Sequence, residues 1–149
     1  PLIMLFCFNL GFYIGISNLY VIQLYKLPVF LDSLRSPELG GLAILIAFIL
    51  IFLSVGLFRK NTEDPNPTTQ SNKLITTGIY KYIRNPMYLA LVILQIGLGI
   101  SLSFLHISLM SIFTAIALHY FIIEREETYL KNLFGAEYES YKAKSRRWI

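Results

Sequence analysis

The residues best suited to chemistry in this chain of 149 residues lie in the stretch 72–88, Asn-Lys-Leu-Ile-Thr-Thr-Gly-Ile-Tyr-Lys-Tyr-Ile-Arg-Asn-Pro-Met-Tyr, where a basic, aromatic-rich segment gives way to a hydrophobic run. Asn85-Pro86 predicts a helix start. The residue before a proline is pushed out of the α region, asparagine can accept from first-turn N–H groups, and proline suits the first helical position. Tyr80, Arg84, Asn85 and Tyr88 then gather about a helix N-terminus. Its unpaired N–H donors and partial positive charge suit a carboxylate or phosphate, although an ordinary membrane-entry cap uses the same residue types.

The second candidate is Glu126. His119, Ile122, Ile123, Glu126, Leu130, Leu133 and Phe134 share one stripe at helical spacing, so an unbroken helix turns Glu126 inward. A carboxylate on an apolar stripe needs a cation or a donor. By the same phase Glu127 falls on a solvated face, where it pairs with Lys131 at i, i+4. His119 stands ~10 Å deeper than Glu126 on that stripe, either facing a substrate or bonded to a neighbouring helix. His106 falls in a turn, and Cys7 reads as a small hydrophobe in an apolar run. No histidines or carboxylates stand at metal-ligand spacing, and there is no glycine-rich phosphate loop or Ser/His/Asp arrangement, so no metal is expected.

The elements that must position these residues are hydrophobic helices. With 55% hydrophobic and 15% charged residues, and a mean hydropathy of +0.57, the chain has the composition of a membrane protein. Its net charge of +4 comes from basic residues flanking apolar runs, which suits anionic headgroups and not nucleic acid. The apolar runs are 2–25, 42–58, 87–105 and 107–123, each close to the ~20 residues that span a bilayer. The chain begins at Pro1 without a methionine, and its first run is too long and too poorly flanked for a signal peptide, so it counts as a span. Residues 26–41 form a proline-containing connector, and 61–72 a polar, proline-broken loop. Only His106 and neighbouring serines separate the last two runs, which must form a tight hairpin. The expected fold is therefore all-α, a multi-pass membrane protein of about four helices. It forms a single domain, with two N-terminal spans in 1–58 and the chemistry in 59–149.

Arg59, Lys60, Lys73, Lys81 and Arg84 in the 59–84 loop, and six further basic residues in the tail, put both segments on the cytoplasmic side by the positive-inside rule. Gly135 ends the last helix, and Tyr138, Tyr141 and Trp148 with Lys142, Arg146 and Arg147 make a basic-aromatic tail expected in the membrane interface.

Thr77-Gly78-Ile79-Tyr80-Lys81-Tyr82-Ile83-Arg84-Asn85-Pro86-Met87-Tyr88, followed by Glu126-Glu127-Thr128-Tyr129-Leu130 and Phe134-Gly135-Ala136-Glu137-Tyr138-Glu139-Ser140-Tyr141, resembles the isoprenylcysteine carboxyl methyltransferase family, over about residues 72–149. Arg-Asn-Pro-Met-Tyr stands here for the family's Arg-His-Pro-x-Tyr, the form of its bacterial-type relatives. The resemblance implies S-adenosylmethionine as cofactor, bound by Asn72, Lys73, Leu74, Ile75, Tyr80, Asn85, Pro86, Met87, Tyr88 and Glu126. Arg84, Glu126 and His119 are the candidates for catalysis. It also implies a lipophilic or lipid-modified acceptor, with the enzyme in a bacterial inner membrane (the endoplasmic reticulum in a eukaryote) and the cofactor on the cytoplasmic face. The family's substrate-holding arginine, four residues before the first glutamate, is Ile122 here, which points away from a prenylcysteine carboxylate and keeps amine, thiol and phenol acceptors open. The related phospholipid N-methyltransferases share the plan. A nicotinamide-dependent membrane reductase and a non-catalytic four-helix protein are the rival readings.

Overall fold

The computed structural model describes residues 36–61 and 73–149, with Asn9 and Tyr13. The run 2–25 as a whole, Cys7, Asn18, connector residues 26–35 and loop residues 62–72, Asn72 among them, lie outside the described residues. The described part is all-helical: α1 (Pro37–Lys60), a 3-10 turn (Gly78–Lys81), α2 (Pro86–Ser101), α3 (Leu105–Leu118), a π turn (His119–Ile123), α4 (Glu124–Phe134) and α5 (Ala136–Lys144).

α1 starts five residues earlier than its apolar run predicts. Pro37 occupies the first turn and the Ser36 hydroxyl accepts from Leu39 N–H at 3.3 Å, so part of the expected connector is helix. The helix lies along α2, and glycine permits their closest approach. A Cβ on Gly40 would stand 2.4 Å from Ser101 N and 2.7 Å from Gly97 O, and one on Gly97 would stand 2.9 Å from Gly40 O. The start of α1 therefore touches the end of α2, and the pair runs antiparallel.

α2 and α3 form the expected tight hairpin. Gln95 donates to Ile107 O at 3.2 Å and accepts from the Thr114 hydroxyl at 2.8 Å, while Ser108 donates to Ile96 O at 2.9 Å. These bonds satisfy the buried polar groups between the helices. α2 ends at Ser101, four residues short of the expectation, where Ser103 takes a left-handed φ of 59° to turn the chain.

Two helices among the described residues are long and apolar enough to cross a membrane: Pro37–Lys60, and the continuous Leu105–Phe134, which joins α3, the π turn and α4. Little of either is buried, 11% and 28% of their apolar stretches, and Phe48, Phe52, Ile112 and Phe113 are exposed, whereas the core helix of a soluble protein would be mostly buried. α2 has 16 residues, fewer than the ~20 of a full span. Of the four expected spans, two are present as membrane-length helices and a third as a short apolar helix, while the first lies outside the described residues.

The tail does not lie free in the interface. Gly135, at φ 53°, turns the chain between α4 and α5, and α5 folds back. Tyr138 is fully buried, and Tyr141 is buried with its hydroxyl donating to Tyr80 O at 2.7 Å. Beyond α5, Arg84 N–H donates to Arg146 O and Arg146 N–H to Tyr82 O, each at 2.8 Å, in a short parallel pairing of Ile83 with Arg146. The last residues are thereby fastened to the segment that enters α2.

Candidate functional site

Tyr80, Tyr88 and Glu126 come together from three elements. The 3-10 turn buries Tyr80 against Phe58 of α1, edge to face at 5.7 Å between centroids. Burial pushes its phenol well above the usual tyrosine range, and Glu126 adds to the rise. From the first turn of α2, the Tyr88 hydroxyl donates to Glu126 Oε1 at 3.0 Å across 38 residues of sequence. Among the described residues Glu126 has no cationic partner.

Asn85 does not cap its helix, contrary to expectation. Its side-chain amide donates to Arg147 O at 3.0 Å, and no side chain caps the first turn of α2. Among the described residues no side chain caps the N–H groups of Met87 and Tyr88 behind Pro86, donors of the kind that suit an anion. Lys73, Leu74 and Ile75 form an irregular approach to the 3-10 turn, with Lys73 exposed and Ile75 buried. Asn72 lies outside the described residues.

Arg84 and His119 belong to a different cluster, centred on Glu127. The expected Glu127–Lys131 pair is not formed: Lys131 binds Glu139 at 2.8 Å, and Glu127 is buried. Arg147 clasps Glu127 with Nε at 3.0 Å and Nη2 at 2.6 Å. Arg84 reaches the same carboxylate through Nε and Nη2, both at 3.3 Å, and its Nη1 donates to Lys142 O and Ser145 O. The Lys142 ammonium stands 3.7 Å from Glu127 Oε2. Arg147 Nη1 meets His119 Nε2 at 3.0 Å, the Trp148 indole N–H faces His119 Nδ1 at 3.4 Å, and Glu124 Oε1 is 3.6 Å from Nε2. The hydrogen bond to Glu127 holds the Arg147 guanidinium protonated even more firmly than usual. Burial, with the Glu127 charge behind it, pushes the Tyr138 phenol up to about 12, so it stays neutral beside the cluster.

The π turn explains the exchange of roles. Glu124 N–H bonds to His119 O, five residues back, so the turn absorbs one extra residue and shifts everything after it by ~100°. Glu127 takes the angular position that Glu126 would hold in an unbroken helix, which puts it under His119, where both meet Arg147. Glu126 is turned to Tyr88 instead. Sequence reasoning therefore missed Glu127, Lys142, Arg147 and Trp148. The available signal was Arg84 itself, an arginine at the mouth of an apolar helix with no acid in its own segment, which must find its counter-charge elsewhere.

The profile of the phospholipid methyltransferase family matches residues 37–137. The chain belongs to that family. An uncharacterized protein of Haemophilus influenzae is 42% identical over 67 residues, which cover 42% of this chain and all of that protein. The match to the phospholipid methyltransferase family takes in Tyr80, Arg84, Tyr88, Glu126 and Glu127 and stops at Glu137, before the tail residues that complete the Glu127 cluster. Membership puts the chain among methyltransferases, and the two membrane-length helices agree with a membrane location.

Proposed function

We propose that this protein transfers a methyl group from S-adenosylmethionine to a lipophilic acceptor at the membrane, in the manner of the isoprenylcysteine carboxyl methyltransferases and phospholipid N-methyltransferases that its sequence resembles. The observation that carries the reading is the Tyr88–Glu126 bond. It joins the two distant parts of the motif and leaves a partly buried carboxylate with one oxygen still able to accept. That oxygen fits the ammonium of the cofactor's amino-acid end, and the uncapped N–H groups at the start of α2 fit its carboxylate. The ring of Tyr80 or Tyr88 suits a sulfonium. Asn72, Lys73, Leu74 and Ile75, with Asn85, Pro86 and Met87, complete the proposed cofactor set.

S-adenosylmethionine supplies an already activated methyl, so the protein's task is to align the acceptor and exclude water. An acceptor amine methylated there would have to shed a proton. His119 is the candidate to take it. Arg84, whose donors are engaged by Glu127 and the tail, acts as a positioning residue. The acceptor enters from the bilayer between helices, and the cofactor from the cytoplasmic face.

Calorimetry on detergent-purified full chain tests the reading. S-adenosylhomocysteine is expected to bind saturably and NADPH not to bind. Binding of NADPH alone would overturn the proposal in favour of a reductase, and binding of neither would remove its cofactor.

A further inference from the structure

We propose that Arg147, with Lys142 beside it, is a docking point for the phosphodiester of a lipid head, which holds the acceptor at the membrane surface. This deepens the functional reading above and rests on it for the acceptor being a lipid.

The first argument is position. Arg147 is bonded to His119, which lies in the last turn of the apolar run that ends at Ile123. Trp148 and Tyr120 flank that histidine, Tyr120 at 4.9 Å between ring centroids. Aromatic residues of this kind mark the membrane–water boundary, where lipid phosphates lie.

The second argument is charge. Arg84, Lys142 and Arg147 surround Glu127, Glu124 lies 3.6 Å from His119, and Glu139, which also feels Lys142, is already matched by Lys131 at 2.8 Å. Three cations against two carboxylates leave one positive charge, the complement of a single phosphodiester.

The third is the count of donors. Arg84 is enclosed, its side chain 9% exposed, and it is engaged by Glu127 and the tail carbonyls. Arg147 is 28% exposed and Lys142 41%. Arg147 gives Nε–H and one Nη2–H to Glu127 and one Nη1–H to His119. One N–H on each Nη therefore has no acceptor among the described residues. Glu127 fixes this fork in place, so little side-chain freedom is lost when an anion binds. Phosphate free in water offers the same chemistry as a lipid head, and the experiment separates the two.

Trp148 is the single tryptophan of the chain, and it stands at the proposed site as a reporter. The full chain in an uncharged detergent is titrated with dihexanoylphosphatidylglycerol, with dihexanoylglycerol, which lacks the phosphate, and with inorganic phosphate, following Trp148 emission. The phospholipid should bind about tenfold more tightly than either control; Arg147→Gln should weaken it about tenfold, Lys142→Gln about threefold, and Arg147→Lys by an intermediate factor. Added salt should weaken it as well. Should Arg147→Gln fail to fold, Arg147→Lys and Lys142→Gln carry the test. Equal binding of dihexanoylglycerol would overturn the proposal, as would unchanged affinity in all the variants that fold. Inorganic phosphate binding as tightly as the phospholipid would overturn its assignment to a lipid. The readout involves no methyl transfer, so its failure leaves the cofactor proposal standing, and failure of cofactor binding leaves this readout intact.

Discussion

Glu126 and Glu127 are consecutive residues of one helix, yet they face opposite surroundings. Glu127 is buried among Arg84, Lys142 and Arg147, whereas Glu126 meets one uncharged phenol at 3.0 Å. The Glu127 cluster has enough cation to satisfy its acid and to fasten α2, α4 and the tail together. The Glu126 side has a carboxylate without a cation among the described residues. In a protein, the first arrangement is what a structural joint needs and the second is what a site awaiting a positive ligand needs.

The largest expected effect falls on the joint. Glu127→Gln leaves Arg84, a nearly enclosed guanidinium, without its counter-charge, and removing one partner of a buried ion pair costs about 3 kcal/mol. Thermal unfolding in detergent should show a marked drop in midpoint. A midpoint near that of the wild type would mean that the joint is not structural.

Glu126→Gln should do the reverse. It keeps the shape and an acceptor oxygen for Tyr88, so stability should change little. It removes the charge proposed for the cofactor ammonium, so S-adenosylhomocysteine affinity measured by calorimetry should fall by about ten- to a hundredfold, the worth of a charge-assisted hydrogen bond. Loss of stability with unchanged affinity would interchange the two acids.

What the sequence made legible follows from which interactions are local. The start of α2 at Pro86 and the break at Gly135 rest on backbone preferences of single residues and are found where expected, and the hairpin of α2 and α3 is formed as well, with α2 ending four residues early. The approach of Tyr88 to Glu126 was legible only through the resemblance of the two motifs. The partner of Glu127 was not legible at all, because helical phase was extrapolated through His119–Ile123 as though the helix were regular. No residue in that stretch announces a π turn. The same slip of phase hid the role of the tail. Arg147 and Trp148 read as surface groups until the turn brings His119 and Glu127 beneath them.

The smallest predicted effect is the one that isolates the phase. In an unbroken helix Glu127 would draw Lys131, one turn on, and Lys131→Ala would then disturb the same acid as Arg147→Ala. In the structure Lys131 binds Glu139 at 2.8 Å, both side chains being well exposed, and exposed pairs are screened by water and contribute little. Lys131→Ala should therefore leave the unfolding midpoint where it is, while Arg147→Ala, which opens the cluster, lowers it. The two substitutions made together should behave as Arg147→Ala alone, since the residues share no partner. A measurable coupling between Lys131 and Arg147 in such a cycle would mean that both act on Glu127, which would return Glu127 to the solvated face and Glu126 to the stripe of His119, and the distinction between the two acids would fall with it.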